Sequence, residues 1–86
     1  MSKYKLVITK SAEKELVKLP VQVIQQIQEA VLKLADDPRP AQCKKLKGFK
    51  DLYRIRIGDY RIIYSIRDSV LIVEVLRIGN RKDIYS

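Results

Sequence analysis

Leu52-Tyr53-Arg54-Ile55-Arg56-Ile57-Gly58-Asp59-Tyr60-Arg61-Ile62-Ile63-Tyr64 is the stretch whose reading decides the fold. Two alternating runs, 53–57 and 60–64, are separated only by Gly58-Asp59. β-Branched and aromatic runs joined by a glycine-containing pair predict a β-hairpin, because glycine supplies the positive φ that a tight turn demands. Period-two alternation sends Tyr53, Ile55 and Ile57 to one face and Arg54 and Arg56 to the other. Arg61 on the return strand adds to the charged side. One face of the hairpin is therefore oily and the other carries guanidinium groups.

Working outward, Tyr4–Thr9 is rich in β-formers and predicts an opening strand. Ser11 is the expected N-cap of a first helix, with Glu13 in its first turn and Ala12, Leu16 and Leu19 as its apolar stripe. Pro20 ends that helix or begins the next. From Val21 to Ala35 the set Ile24, Ile27, Val31 and Leu34 recurs at helical spacing, and Asp36-Asp37-Pro38-Arg39-Pro40 ends the pattern. Residues 38–51 form the long connection and carry Lys44, Lys45, Lys47 and Lys50. Arg67-Asp68-Ser69 makes the turn after the hairpin, and Val70–Leu76, apolar on both sides except for Glu74, predicts a central strand. The expected class is α+β: two N-terminal helices packed on a small antiparallel-rich sheet, in the order β-α-α-β-β-β, with room for a short last strand near Ile84.

An 86-residue chain is expected to be one domain spanning 1–86. It has no apolar run of bilayer length and its start lacks a signal-peptide core, so no membrane partner is expected. With a single cysteine, Cys43, the expected location is the cytoplasm. The net charge of +8 is uneven. Residues 1–43 carry seven Lys/Arg against five Asp/Glu, whereas 44–82 carry eleven against four. A polyanion, nucleic acid first and an acidic protein segment second, is the partner such asymmetry suggests; the alternative is a soluble basic surface with no ligand.

Histidine is absent. That excludes a Ser-His-Asp or Cys-His triad, a His-based zinc site and a two-histidine ribonuclease. No carboxylates stand at metal-ligand spacing and the three glycines make no phosphate loop, so no cofactor is expected. What remains is a set of arginines, whose planar forks match phosphate oxygens and stay charged. Asp51, Asp59, Asp68, Glu74 and Asp83 are the nearby acids that could pair with them, and five acids cannot neutralise eleven bases.

Lys44-Lys45-Leu46-Lys47-Gly48, Leu52–Arg56, Gly58–Tyr64, Leu76-Arg77-Ile78-Gly79-Asn80-Arg81 and the final Ile84-Tyr85, in this order, resemble the RelE/ParE toxin superfamily. The resemblance covers nearly the whole chain and implies the toxin of a prokaryotic type II toxin–antitoxin pair. Its RelE-like branch implies a metal-independent endoribonuclease that cuts mRNA in the ribosomal A site. By the same resemblance Arg54 and Arg56 stand where relatives hold RNA phosphates with lysines. Arg61 matches a phosphate-orienting arginine, Arg81 an arginine near the leaving group, and Tyr85 a general base or stacking residue. Arg56, Arg61, Arg81 and Tyr85 are thus the candidate catalytic set, and Lys45, Lys47, Arg54 and Arg77 the candidate RNA-binding set. Both hairpin lysines are arginines here, and Asn80 stands where many relatives carry a basic residue or histidine.

The implied chemistry needs no metal or histidine. RNA carries its own nucleophile, the 2′-hydroxyl, so a protein need only align in-line attack and hold the charge that builds on phosphate. Tyrosine titrates near pH ~10 and arginine above ~12, so guanidinium neighbours are what would favour a phenolate at Tyr85. Expected partners are a cognate antitoxin with an acidic wrapping segment, the ribosome with its mRNA, and operator DNA only through the antitoxin. A ParE-like poison of DNA gyrase and an inactive antitoxin-binding co-repressor are the alternatives.

Overall fold

The computed structural model describes residues 3–80. Its elements are β1 (Lys5–Ile8), α1 (Lys10–Val17), α2 (Val21–Asp36), β2 (Lys44–Lys45), β3 (Leu52–Ile57), β4 (Tyr60–Arg67), a 3-10 turn (Asp68–Val70) and β5 (Ile72–Asn80). The strands form one sheet in the order β1-β5-β4-β3-β2. Among the described residues only the β1–β5 pairing is parallel.

The hairpin forms as its sequence dictates. Ile57 pairs with Tyr60 across Gly58-Asp59, and Gly58 sits at φ +59. A positive φ at the first central position alone is the pattern of a type II′ turn, whose twist matches that of paired strands. Cross-strand partners then share faces. Tyr53–Tyr64 and Ile55–Ile62 lie on the helix side, and Arg56–Arg61 and Arg54–Ile63 on the other.

Both helices cover the oily face. Ala12 and Leu16 from α1 and Ile27, Val31 and Leu34 from α2 are buried against Ile55, Ile62, Tyr64, Ile66, Val73, Val75 and Ile78. Each of these Val, Leu and Ile side chains contributes about 1.5–3 kcal/mol on leaving water, which is what holds two short helices to the sheet.

Four local expectations need correction. Thr9, not Ser11, caps α1, because the helix already begins at Lys10. Extended Thr9 accepts the Ala12 N–H on its Oγ1 at 3.1 Å, and that same hydroxyl donates to the Leu76 carbonyl at 3.3 Å. The last strand starts at Ile72 rather than Val70, since Val70 and Leu71 are exposed in the turn and Leu71 takes φ +54. A bulge also interrupts its alternation. Ile63 pairs with Arg77 and Tyr64 with Val75, leaving Leu76 as the extra residue. That inserted residue shifts the phase by one, so Val73, Val75 and Ile78 all reach the core. β5 is therefore buried on one face only. The connection before the hairpin, expected to be loop throughout, also contributes β2. The expected short strand near Ile84 lies outside the described residues.

Two polar clusters fasten the elements. At one end Arg39 donates to both Asp68 carboxylate oxygens, at 3.2 and 2.8 Å, and Tyr4 donates to the same carboxylate at 2.7 Å. The Arg39 guanidinium lies 5.3 Å from the Tyr53 ring centre, over a ring stacked on Tyr64, whose hydroxyl donates to the Pro38 carbonyl at 2.7 Å. This ties the end of α2 to β1, β3, β4 and the turn before β5. At the other end β1 stops in register with Val75, and Glu15 on α1 takes over the edge by accepting the Ile78 N–H at 3.1 Å.

Candidate functional site

Strand register assembles the candidate site on the sheet face away from the helices. Lys44 is directly opposite Arg54, Arg56 is opposite Arg61, and Ile63 lies between Arg54 and Arg77. Lys44, Arg54, Arg56, Arg61 and Arg77, from four adjacent strands, therefore share one side. Guanidiniums directly opposite each other repel, at a cost of about 0.2–1 kcal/mol, so the Arg56–Arg61 pair is a local conflict in an otherwise well-formed hairpin. Such conflicts gather where a site needs charge.

The face is graded rather than an open row. Arg61 is 2% exposed and Arg54 9%, while Arg56 is exposed. Arg56 is thus the most accessible guanidinium of the hairpin, whereas Arg54 and Arg61 are largely buried. Arg77 is engaged elsewhere: it donates to Glu15 through Nε at 3.1 Å and through Nη2 at 3.1 Å. Burial raises the Glu15 carboxyl, but the Arg77 guanidinium and the Ile78 N–H outweigh it and hold that carboxyl below its ordinary value. Asp68 is spent on Arg39 and Tyr4, whose hydrogen bonds hold its carboxyl at about 2. The acids that meet Arg39 and Arg77 are therefore not chain neighbours, and neither ion pair uses Arg54 or Arg56.

Among the candidates drawn from sequence, Lys45 and Lys47 are exposed but do not join the row. Lys45 pairs with Tyr53, on the helix side, and Lys47 borders an apolar cleft with Phe49. Arg81 and Tyr85 lie outside the described residues. Lys44 is the member that sequence reading missed. Its signal was present only as a spacing relative to Arg54, because a two-residue strand leaves no periodicity to read. Tyr64 is not a candidate base. Burial drives its hydroxyl well above the ordinary tyrosine range, and it serves the Pro38 carbonyl instead. Among the described residues no group of His, Cys, Asp or Glu side chains could hold a metal ion, and no helix is long and apolar enough to cross a membrane.

Comparison with known proteins bears on the fold and the chain as a whole. Residues 6–85 match the family model described as the ParE toxin of a type II toxin–antitoxin system, parDE. A putative RelE-like toxin protein from Escherichia coli is 32% identical over 98% of this chain and 92% of its own length. The mRNA interferase toxin RelE of Escherichia coli strain K12 is 31% identical over 96% of this chain and 90% of its own. Among solved structures, the archaeal RelE–RelB complex from Pyrococcus horikoshii superposes with a TM-score of 0.82 at 33% identity, covering 92% of this chain and 96% of the matched one. Fold, full-length coverage and identity coincide, and the chain belongs to the RelE/ParE superfamily of type II toxin–antitoxin toxins, within its RelE-like branch.

Proposed function

We propose that this toxin is a cytoplasmic, ribosome-dependent mRNA endonuclease that needs no metal. The observation that carries the reading is the register that gathers Lys44, Arg54, Arg56 and Arg61 on the helix-free face, with Arg56 exposed. A phosphodiester held there would meet donors fixed by strand geometry, which is what stabilising a pentacovalent phosphorane requires. In the proposed step the 2′-hydroxyl loses its proton, the O2′–P bond forms and the P–O5′ bond breaks. The products are a 2′,3′-cyclic phosphate and a 5′-hydroxyl, after a proton reaches the leaving oxygen. Arg56 and Arg61 are assigned to the phosphate charge, Arg81 to the leaving oxygen and Tyr85 to the 2′-hydroxyl proton or to stacking. Lys47, Arg54 and Arg77 are assigned to RNA contacts that position the strand, and Lys45, on the helix side of the edge strand β2, to RNA that runs past that edge. Arginine at the two hairpin positions supplies charge without a titratable proton near neutrality. Proton transfer is therefore the step left to the ribosome to assist.

The proposed antitoxin is an acidic segment laid over this basic surface. The protein it resembles from Pyrococcus horikoshii was solved as a complex with RelB. Beside the edge strand β1, an apolar groove of about 290 Å3 lined by Leu6, Ile8, Leu16, Ile27, Val31 and Leu32 offers a seat for apolar side chains of such a segment. Operator DNA would be reached only through that antitoxin.

The test is toxin added to a reconstituted bacterial translation reaction, with primer extension on the message. Discrete cuts at the A-site codon, lost without ribosomes and lost in Arg56→Ala, are the expected result. The matching family model carries a ParE description, and this favours a second reading, a gyrase poison. Intact message with trapped cleaved DNA in a parallel gyrase reaction would overturn the nuclease in its favour.

A further inference from the structure

The helix-free face also bears an apolar cleft that phosphate chemistry leaves unused. Leu46, Phe49, Leu52, Ile63 and Leu76 line about 430 Å3, with Lys47 and Arg77 at the border. That volume falls in the range of small-molecule sites. Phe49 is 57% exposed and follows Gly48, whose φ of +81 L side chains rarely adopt. The loop thus turns at Gly48 immediately before a large apolar ring left half in water. A single exposed apolar residue is ordinary. This one differs because Ile63 in the cleft is the cross-strand neighbour of both Arg54 and Arg77. The cleft and the cationic row are therefore continuous, and Arg56 lies two residues along β3, about 7 Å away from Arg54.

An aromatic ring beside cations is how proteins hold single-stranded nucleic acid: charge follows the backbone while bases stack on the ring, whatever their identity. We propose that Phe49 is the stacking platform for one unpaired RNA base, adjacent to the phosphate held by Arg54 and Arg56. The inference rests on the RNA reading above and extends it to a base-binding subsite. Charge complementarity favours a nucleotide: Lys47 adds a cation at the border, and the row beside it is cationic.

The chain has no tryptophan, so Phe49→Trp introduces a single indole whose emission is read by exciting to the red of tyrosine absorption. The probe is an end-labelled 2′-O-methyl RNA hexamer, which cannot be cut by 2′-hydroxyl attack, beside a hexamer abasic throughout. The intact hexamer should quench the Phe49→Trp fluorescence saturably and the abasic one should not. Anisotropy should show binding weakened about 5- to 150-fold in Phe49→Ala, the range expected for one stacked base. Phe49→Leu should behave like Phe49→Ala, and Phe49→Tyr should restore binding. Because Phe49 is exposed, thermal unfolding should not change among these variants. Equal hexamer binding by Phe49→Ala, or binding to Phe49→Trp without quenching, would overturn the stacking subsite while leaving the RNA reading intact. No hexamer binding despite A-site cleavage on ribosomes would do the same, whereas loss of both would remove the RNA reading itself. Quenching by an acidic amphipathic peptide but not by the hexamer would assign the cleft to a protein partner and overturn the proposal.

Discussion

Arg56 concentrates the conflict between stability and function at a single position. It is exposed, directly opposite Arg61, and in neither of the ion pairs with Glu15 and Asp68. Replacing it with Gln should leave the fold as stable as before or more stable by up to ~1 kcal/mol, because a like-charge cross-strand pair is relieved. The same variant should lose A-site cleavage, so urea titration and primer extension should move in opposite directions. Tyr64 is the contrasting residue, since its hydroxyl serves structure. Tyr64→Phe strands the Pro38 carbonyl and should cost about 0.5–1.5 kcal/mol in urea unfolding without changing the face that carries Arg56. From the sequence, alternation correctly divided Arg54 and Arg56 from Ile55. It could not rank the arginines by burial, because exposure depends on what the strands on either side supply.

The elements show where acids were invisible to a local reading. Glu15 stands on α1, more than 60 residues before its partners Arg77 and Ile78, and closes the edge of β5 that β1 is too short to cover. Glu15→Ala should therefore destabilise the α1–β5 contact by about 1 kcal/mol, a modest figure because the pair is partly exposed. It should also raise hydrogen exchange at the Ile78 amide. Asp68 joins Arg39 and Tyr4 in the same long-range manner. Its folded value of about 2 lies below the ordinary 3.8, and Glu15 lies below its ordinary 4.5. A depressed carboxyl binds its proton less readily when folded, so both contributions are complete above the ordinary values and are lost as pH falls through the folded ones. The urea midpoint should be flat between about pH 5 and 8 and decline below about pH 4.5, with the decline shallower in Asp68→Asn.

At the scale of the whole molecule, the charge of +8 sets how it meets a polyanion. Binding to single-stranded RNA should weaken with salt by about 0.7 log units per decade for each phosphate neutralised, and Arg56→Gln should flatten that slope by about 0.7. Anisotropy titrations across a salt series test this, and an unchanged slope would remove Arg56 from the phosphate contacts. The sequence by itself determined the hairpin, both helices, the α+β class and the side of the sheet that would be cationic. Each of these follows from local chemistry: a glycine at positive φ, period-two alternation, and apolar spacing at 3.6 residues. Only the tertiary structure decided that Lys44 joins the row and Lys45 does not, that Leu76 bulges, that Thr9 caps α1, and that Arg77 is held by Glu15. Those outcomes depend on register between strands and on contacts between residues as far as 67 apart in the chain, and neither leaves a periodic trace in a sequence.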